Sequence, residues 1–365
     1  MALGAATLAV KVQSVMNKDG GSLLPVPPPE HSINMAKVKL PTVLTSTSIM
    51  VPGSPVITPP KANVIARTLW TMRQHARASL DLGEIDQIDS GIAKAYDTDI
   101  VRAEAYGFSI QGIPTGSANA LRVYVPRQSD YPASFLFEVA TASSSGPGQA
   151  GPLTQYISVD IAERKGPSTP WQVAFVGTFV PVGTTTTVQT LSPLPVGDNG
   201  FDPPPAYPPP SHPMTAIAAY WQHWVDHGTA PRNSPFMPSY WTTQFGAALA
   251  SQHEGVLIDS GAARQYLHYS ANPAYGKWVF STWGGAPMVC GVVTLDQKFI
   301  AHPRQGGLLY QNSSRHNWGS FLRPGMYTSI TDNRAHAVCM VVDPAGKIAV
   351  MAGHDFSVSM TGTAP

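Results

Sequence analysis

Charge is what this sequence has least of. Acidic and basic residues make up 12% of it, about half the roughly 25% of an average soluble domain. They nearly cancel, leaving a net charge of +1. There is no basic stripe, arginine cluster or acidic tail, which removes the electrostatic case for nucleic acid or an anionic membrane surface as partner. Cysteine is scarce too. The chain has two, Cys290 and Cys339, and no Cys-x-x-Cys, so a cysteine-based zinc site is excluded. Long apolar runs are also missing. The apolar opening Met1 to Val10 is about half the roughly 20 residues that a span requires, and it lacks the basic residues that begin a signal peptide. It has the character of the last turns of a membrane anchor. Two readings stand: the start lies inside a longer anchor that tethers the chain, or this is an ordinary frayed terminus.

Proline takes the place of the missing charge. The 35 prolines are about twice the usual share of roughly 5%. Nine of them fall between Leu191 and Pro213, in Asp-Pro-Pro-Pro-Ala-Tyr-Pro-Pro-Pro and its flanks. Proline fixes φ and removes a backbone donor, so neither a helix nor a central strand runs through such a stretch. Three-proline runs favour an extended polyproline II spacer. The chain therefore divides into a proline-rich leader or stalk over 1–60, a first folded half over 61–190, a linker over 191–213 and a second folded half over 214–365.

Both halves put helices before strands. Ile65, Leu69, Met72, Ala76 and Leu80 recur at three- and four-residue spacing, an amphipathic helix with Arg67, Arg73, Gln74 and Arg77 mostly off the apolar stripe. Two shorter helices follow, around Leu82–Ile88 and Ile92–Ala103. The period then becomes two, predicting strands at Leu121–Val125, Phe135–Ala140, Gln155–Glu163 and Trp171–Val180. In the second half, helices are expected from Pro213 to Val225, stopped by Gly228, and over Ser239–His253. Strands are expected at Arg264–Ser270, Lys277–Ser281, Ala286–Leu295, Met326–Thr331, Ala335–Val342 and Lys347–Ala352. Asp343-Pro344-Ala345-Gly346 is a hairpin turn, and 303–324 reads as a long loop. This order predicts an α+β fold, with helices packed on a curved antiparallel sheet in each half.

The stretch from Ile65 through Ser90-Gly91 to Tyr96, the Pro170-Trp171 strand and Lys277-Trp278-Val279-Phe280 carry a resemblance. With them the chain, over about its last 300 residues, resembles extracytoplasmic proteins of high-GC Gram-positive bacteria. In these a proline-rich segment or anchor precedes tandem cone-shaped domains of the NTF2-like (cystatin-like) kind. The resemblance implies an envelope or secreted location and that fold, and almost no chemistry.

The candidates for chemistry are few. Cys290 and Cys339 lie in apolar strand-like runs. If those strands are neighbours a disulfide fits an oxidising compartment; otherwise both are buried thiols acting as small apolar residues. His223 and His227 have the i, i+4 spacing of a metal pair. Residue 224 is Trp rather than the Glu of a metalloprotease, and the last turn of a helix favours histidine on its own account. The expectation is no metal and no cofactor. His268, His302, His316, His336 and His354 with Asp355 are spread over the second sheet. In enzymes with a cone of this kind a His–Asp pair serves as general acid and base, so His268, His336, His354 and Asp355 are the weak catalytic candidates. Ser90 and Ser260, each in Asp-Ser-Gly, lack the nucleophile elbow. Tyr266, Trp278 and Trp283 are the residues placed to line an apolar pocket, although Trp is more often core. The functional expectation is a non-catalytic envelope or secreted module that binds a partner protein, a cell-wall component or an apolar ligand. The alternatives are a small-molecule isomerase or hydrolase using the second cone, and a scaffold whose halves pack together.

Overall fold

The computed structural model describes residues 33–46, 55–105, 118, 120–126, 128–142, 155–179, 211–250, 263–275, 278–282, 286–301, 308–310 and 325–364. Of the expected stalk, 1–32 and 47–54 lie outside these residues, as does the linker over 191–210; within 33–46 and 55–60, Leu44, Val56 and Ile57 are buried in the first core. Among the described residues no helix is long and apolar enough to cross a membrane.

The fold is α+β, with antiparallel sheets and a few helices. A short turn of helix, α1 (Thr42–Thr45), precedes α2 (Pro59–Ala78), α3 (Leu82–Ile88) and α4 (Gly91–Ala105). Two prolines open α2, where the missing N–H is harmless. The Asp81 carboxylate caps α3 by accepting from the Glu84 N–H. Strands β1 (Ala120–Tyr124), β2 (Ala133–Ala142), β3 (Gln155–Arg164) and β4 (Gln172–Phe179) follow, each pairing with the next. The second half begins with α5 (Ser211–His227) and continues with β5 (Ala263–Ala271), β6 (Trp278–Ser281), β7 (Pro287–Ala301), β8 (Leu308–Tyr310), β9 (Gly325–Tyr327), β10 (Ser329–Val342) and β11 (Ile348–Thr363).

Nine strands form one sheet in the order β1-β2-β3-β4-β11-β10-β7-β5, with β6 also on β7; β8 and β9 make a separate pair. Strands β4 and β11 meet at Thr178 and Gly353, so strands from both halves share the large sheet. The cores show the same thing. One contains Ile65, Leu69, Phe135, Phe137 and Trp171 from the first half together with Trp278, Phe280, Cys290, Cys339 and Phe356 from the second. The other lies on the opposite face of the second-half strands, where Trp221, Phe236, Trp241 and Phe245 pack on Val293, Val338, Met340 and Val350.

Several sequence expectations change in detail. Arg73 and Arg77 are on the buried side of α2, not off the stripe, because carboxylates on α4 and β3 meet them there. The second helix of the second half is shorter than 239–253. Residues 239–243 form a turn in which the Thr242 hydroxyl takes the Ser239 N–H at 2.8 Å and donates to the Met237 carbonyl at 2.9 Å, side-chain bonds that compete with helix. Helix covers 244–250, and 251–253 lie outside the described residues. The expected strand 326–331 is broken at Thr328: β9 pairs with β8, and β10 starts afresh at Ser329. Strands β7, β10 and β11 run well past their expected ends, because their far portions pair with one another, as in Ser329 with Ile300 and with Thr363. The turn at 343–346 is as expected, with Gly346 at φ 78°.

Cys290 and Cys339 face each other directly across β7 and β10 and are joined as a disulfide, with Cα atoms 4.1 Å apart. The bond closes a loop of 49 residues in the unfolded chain. Chain entropy makes such a link worth about 2–4 kcal/mol. Replacing both cysteines with alanine should therefore lower the unfolding free energy by about that amount, as read by urea denaturation. A loss under about 1 kcal/mol would show that the reduced chain keeps the two strands paired by other means.

Candidate functional site

Two clusters of buried arginine and carboxylate stand out among the described residues. The first joins α2, α4 and β3. Arg73 Nε lies 2.7 Å from Asp97 and 3.3 Å from Asp89, while its Nη1 lies 2.8 Å from Asp160. Arg77 donates to the other oxygen of Asp97, at 3.0 Å from Nε and again from Nη2. Ser158 donates to Asp160 at 2.7 Å. All of these charged groups are buried. Burial pushes the Asp89 carboxyl well above the usual range, against the pull of Arg73. Burial acts on Asp97 in the same direction, but Arg73 and Arg77 overcome it and hold that carboxyl well below the usual range. Two guanidiniums there face three carboxylates. Nothing in it is open to a substrate; it ties three elements together.

The second cluster is on the second-core face of β10 and β11, where the sequence candidates lie. His336 and Asp355 are direct cross-strand partners, with Nδ1 3.4 Å from Oδ1. Arg334 grips the same carboxylate with Nε and Nη2, the former at 3.1 Å, and lies 3.8 Å from Asp332. The His336 ring is fully buried among Trp221 and Phe245, both with centroids 5.2 Å away, and Tyr269 at 6.0 Å. Burial lowers its pKa to about 4, although Asp355 works the other way. Asp355, with a quarter of its side chain exposed, is held below the usual carboxylate range by Arg334 against burial. Burial raises Asp332 to about 6.

The other candidates do not join this group. His354 points to the opposite face, its ring 4.7 Å from Tyr96 and 5.9 Å from Phe356, and burial lowers its pKa to about 4. His268 is exposed and stands opposite Asp296. Trp278 is buried in the first core against Phe175, and its Nε1 donates to Glu163 of β3 at 2.9 Å. The Tyr266 side chain, Trp283, His302, His316 and Ser260 lie outside the described residues. Ser90 sits at a helix boundary, its carbonyl accepting from the Lys94 N–H in the first turn of α4. The Arg73 cluster was missed by sequence reasoning; its signal was arginine at Arg73 and Arg77, the same four-residue spacing that carries the apolar stripe.

A general base must come within hydrogen-bond reach of the proton it takes. His336 is enclosed by aromatic rings, and Arg334 donates to both oxygens of Asp355. Among the described residues no group of three or more His, Cys, Asp or Glu is placed to hold a metal ion. No protein family, no curated protein and no solved structure matches the chain.

Two measurements test these clusters. Asp97→Ala leaves two buried guanidiniums short of a partner and should cost about 3–5 kcal/mol in urea unfolding; a loss of about 1 kcal/mol would mean that water enters and solvates them. The second concerns His336, whose folded pKa of about 4 lies below its unfolded value of roughly 6.5. As pH falls between those values the unfolded chain takes up a proton that the folded chain refuses, so stability drops. The raised pKa of Asp332 acts oppositely in the same window, because the folded chain protonates first. Comparison with His336→Phe isolates the histidine. From about pH 7 to about pH 5 the natural chain should lose about 2 kcal/mol more than the variant. Equal losses would show that the folded ring already accepts a proton at pH 5.

Proposed function

We propose that the chain is a non-catalytic module of the cell envelope or the secreted fraction, which binds a partner protein, a cell-wall component or an apolar ligand through its outer surface. The observation that carries the non-catalytic half of this reading is the enclosure of His336 by Trp221, Phe245 and Tyr269. The location rests on the disulfide between Cys290 and Cys339, since such bonds persist in oxidising compartments, and on the low charge and high proline of the sequence.

The finer architecture, two tandem NTF2-like halves, is part of the same proposal. Its support is the order of elements, helices before strands in each half. The scaffold variant, in which the halves pack on each other, draws on a specific contact: Trp278 of the second half donates to Glu163 of the first within a shared core.

The test is thiol trapping on intact cells combined with protease shaving. The chain should be cleaved from outside and should yield no alkylatable thiol until a reductant is added. A protease-protected chain with two free thiols would overturn the location. Turnover of an ester or enolisable ketone that is lost in Asp355→Asn would overturn the non-catalytic reading and favour the hydrolase or isomerase.

A further inference from the structure

The outer end of the second-half strands carries a polar face that nothing above uses. Residues directly opposite each other on antiparallel strands share a face, so the register sorts the side chains into rows. His268 of β5, Asp296 of β7, Asn333 of β10 and Ser359 of β11 form one row. Lys298, Thr331 and Thr361 belong to the next, and Ser329 and Thr363 to the one after it. His268, Asp296, Lys298, Thr361 and Thr363 are exposed, while Ser329, Thr331, Asn333 and Ser359 are half-buried. The alternate residues of the same strands, among them Gln297, Phe299, Ile330, Asp332 and Met360, are buried. Strands in a sheet lie about 4.8 Å apart, so a row across four of them spans about 15 Å. The wet face of an antiparallel sheet is polar in any case. Two features go beyond that. The first is order. Asn333 Nδ2 donates to Ser359 Oγ at 2.9 Å, the Ser329 hydroxyl donates to that of Thr363 at 3.2 Å, and the hydroxyls of Ser270 and Thr294 are 2.8 Å apart. Tied across strands in this way, and with threonine stiff at χ1, the array is set before anything binds, which lowers the ordering cost of association. The second is neutrality. Lys298 and Asp296 stand two residues apart on one face of β7 and offset each other, and the remaining groups of these rows are hydroxyls, one amide and one imidazole.

We propose that this face binds an uncharged polysaccharide laid across β7, β10 and β11. The inference rests on the envelope reading above and selects the cell-wall component from its three partners. Each hydroxyl of the array both donates and accepts, and the amide of Asn333 supplies both functions side by side. A polyhydroxylated chain without charge answers that chemistry group for group. The other partners ask for something else. Nucleic acid requires a series of cations to replace its counterions. An apolar ligand requires an apolar concavity. Protein partners anchor on clustered aromatic and arginine side chains, and serine is depleted in such interfaces.

The test is electrophoresis of the full chain in native gels cast with hydroxyethyl cellulose, dextran or galactomannan, with heparin as the anionic control. The natural chain should be retarded by at least one of the three neutral polymers and not by heparin. Calorimetric titration with the retarding polymer should give the same Kd at about 50 mM and about 500 mM NaCl, because no charge pair is involved. Asn333→Ala should weaken binding about three- to tenfold, the worth of one or two hydrogen bonds, and Thr331→Ala with Thr361→Ala at least as much. Thr215→Ala, an exposed hydroxyl on α5, should bind as the natural chain does. Thr361 is exposed, so Thr361→Ala should keep the natural thermal midpoint and report on binding alone. Retardation by none of the three, an unchanged Kd in the Asn333 and Thr361 variants, or retardation by heparin that salt abolishes would each overturn the proposal. A dimer in sedimentation that Thr361→Arg splits would give the face to a second copy of the chain and overturn it too. If the natural chain and these variants pellet equally well with purified insoluble cell wall, the face is wrongly assigned while the envelope reading stands.

Discussion

Because β7, β10 and β11 carry a core on each face, side chains in their central portions have little access to water. Ala335, Ala337 and Cys339 look into the first core while Val338, Met340 and Val342, the alternate residues of the same strand, look into the second. An antiparallel sheet commonly has one wet face and an alternating sequence; here the run is apolar throughout, as two-sided burial demands. A polar residue in such a strand can be satisfied only sideways, by a neighbour on the same face. That is the position of Arg334, His336 and Asp355. Their interactions run across the sheet between adjacent strands, and the aromatic side chains of α5 and of 241–245 close over them. Even a methyl group is too much in places. A Cβ on Gly353 would come 2.7 Å from the Trp241 ring.

The first half meets the same difficulty at the contact between helices and sheet. Exchanging buried charges for apolar side chains of the same shape is often neutral or stabilising, so the Arg73 cluster is poor evidence of stability for its own sake. What it does supply is geometry. Asp97 on α4 takes both arginines of α2, and Arg73 also reaches Asp160 on β3. No rotation of α2 about its axis keeps all of these contacts, whereas an apolar stripe would tolerate several. The disulfide acts in the same sense on the other part of the first core, fixing β7 against β10 where Trp278 and Phe280 of β6 also pack.

Most of the secondary structure could be read from the sequence because it depends on nearest neighbours. The α2 periodicity, the Asp343–Gly346 turn and the apolar runs of β10 and β11 are local signals, and their elements are where they were expected. The strand ends were misjudged where pairing, not propensity, sustains the strand, as in the polar continuation of β11 to Thr363. The charge clusters were out of reach for another reason. Arg73 and Asp160 are 87 residues apart, and only the packed fold shows that they meet. Arg73 on an apolar stripe was nevertheless a usable sign: a buried arginine must have a carboxylate, and α4 offers Asp97 and Asp99.

The pairing of His336 shows how fine the determining detail is. Counting outward from the turn, Val342 faces Ile348 and Met340 faces Val350. Continued without interruption, that register would set His336 opposite His354, two imidazoles side by side with no counter-charge. The register shifts by one residue between Met340 and Cys339, so that Met351 is passed over and Cys339 faces Ala352. A one-residue slip sends every following side chain to the other face. Asp355 therefore comes opposite His336 in the second core, and His354 turns to Tyr96 in the first. A single bulge thus decides which residue accompanies the histidine. It also places the carboxylate where Arg334 can hold it.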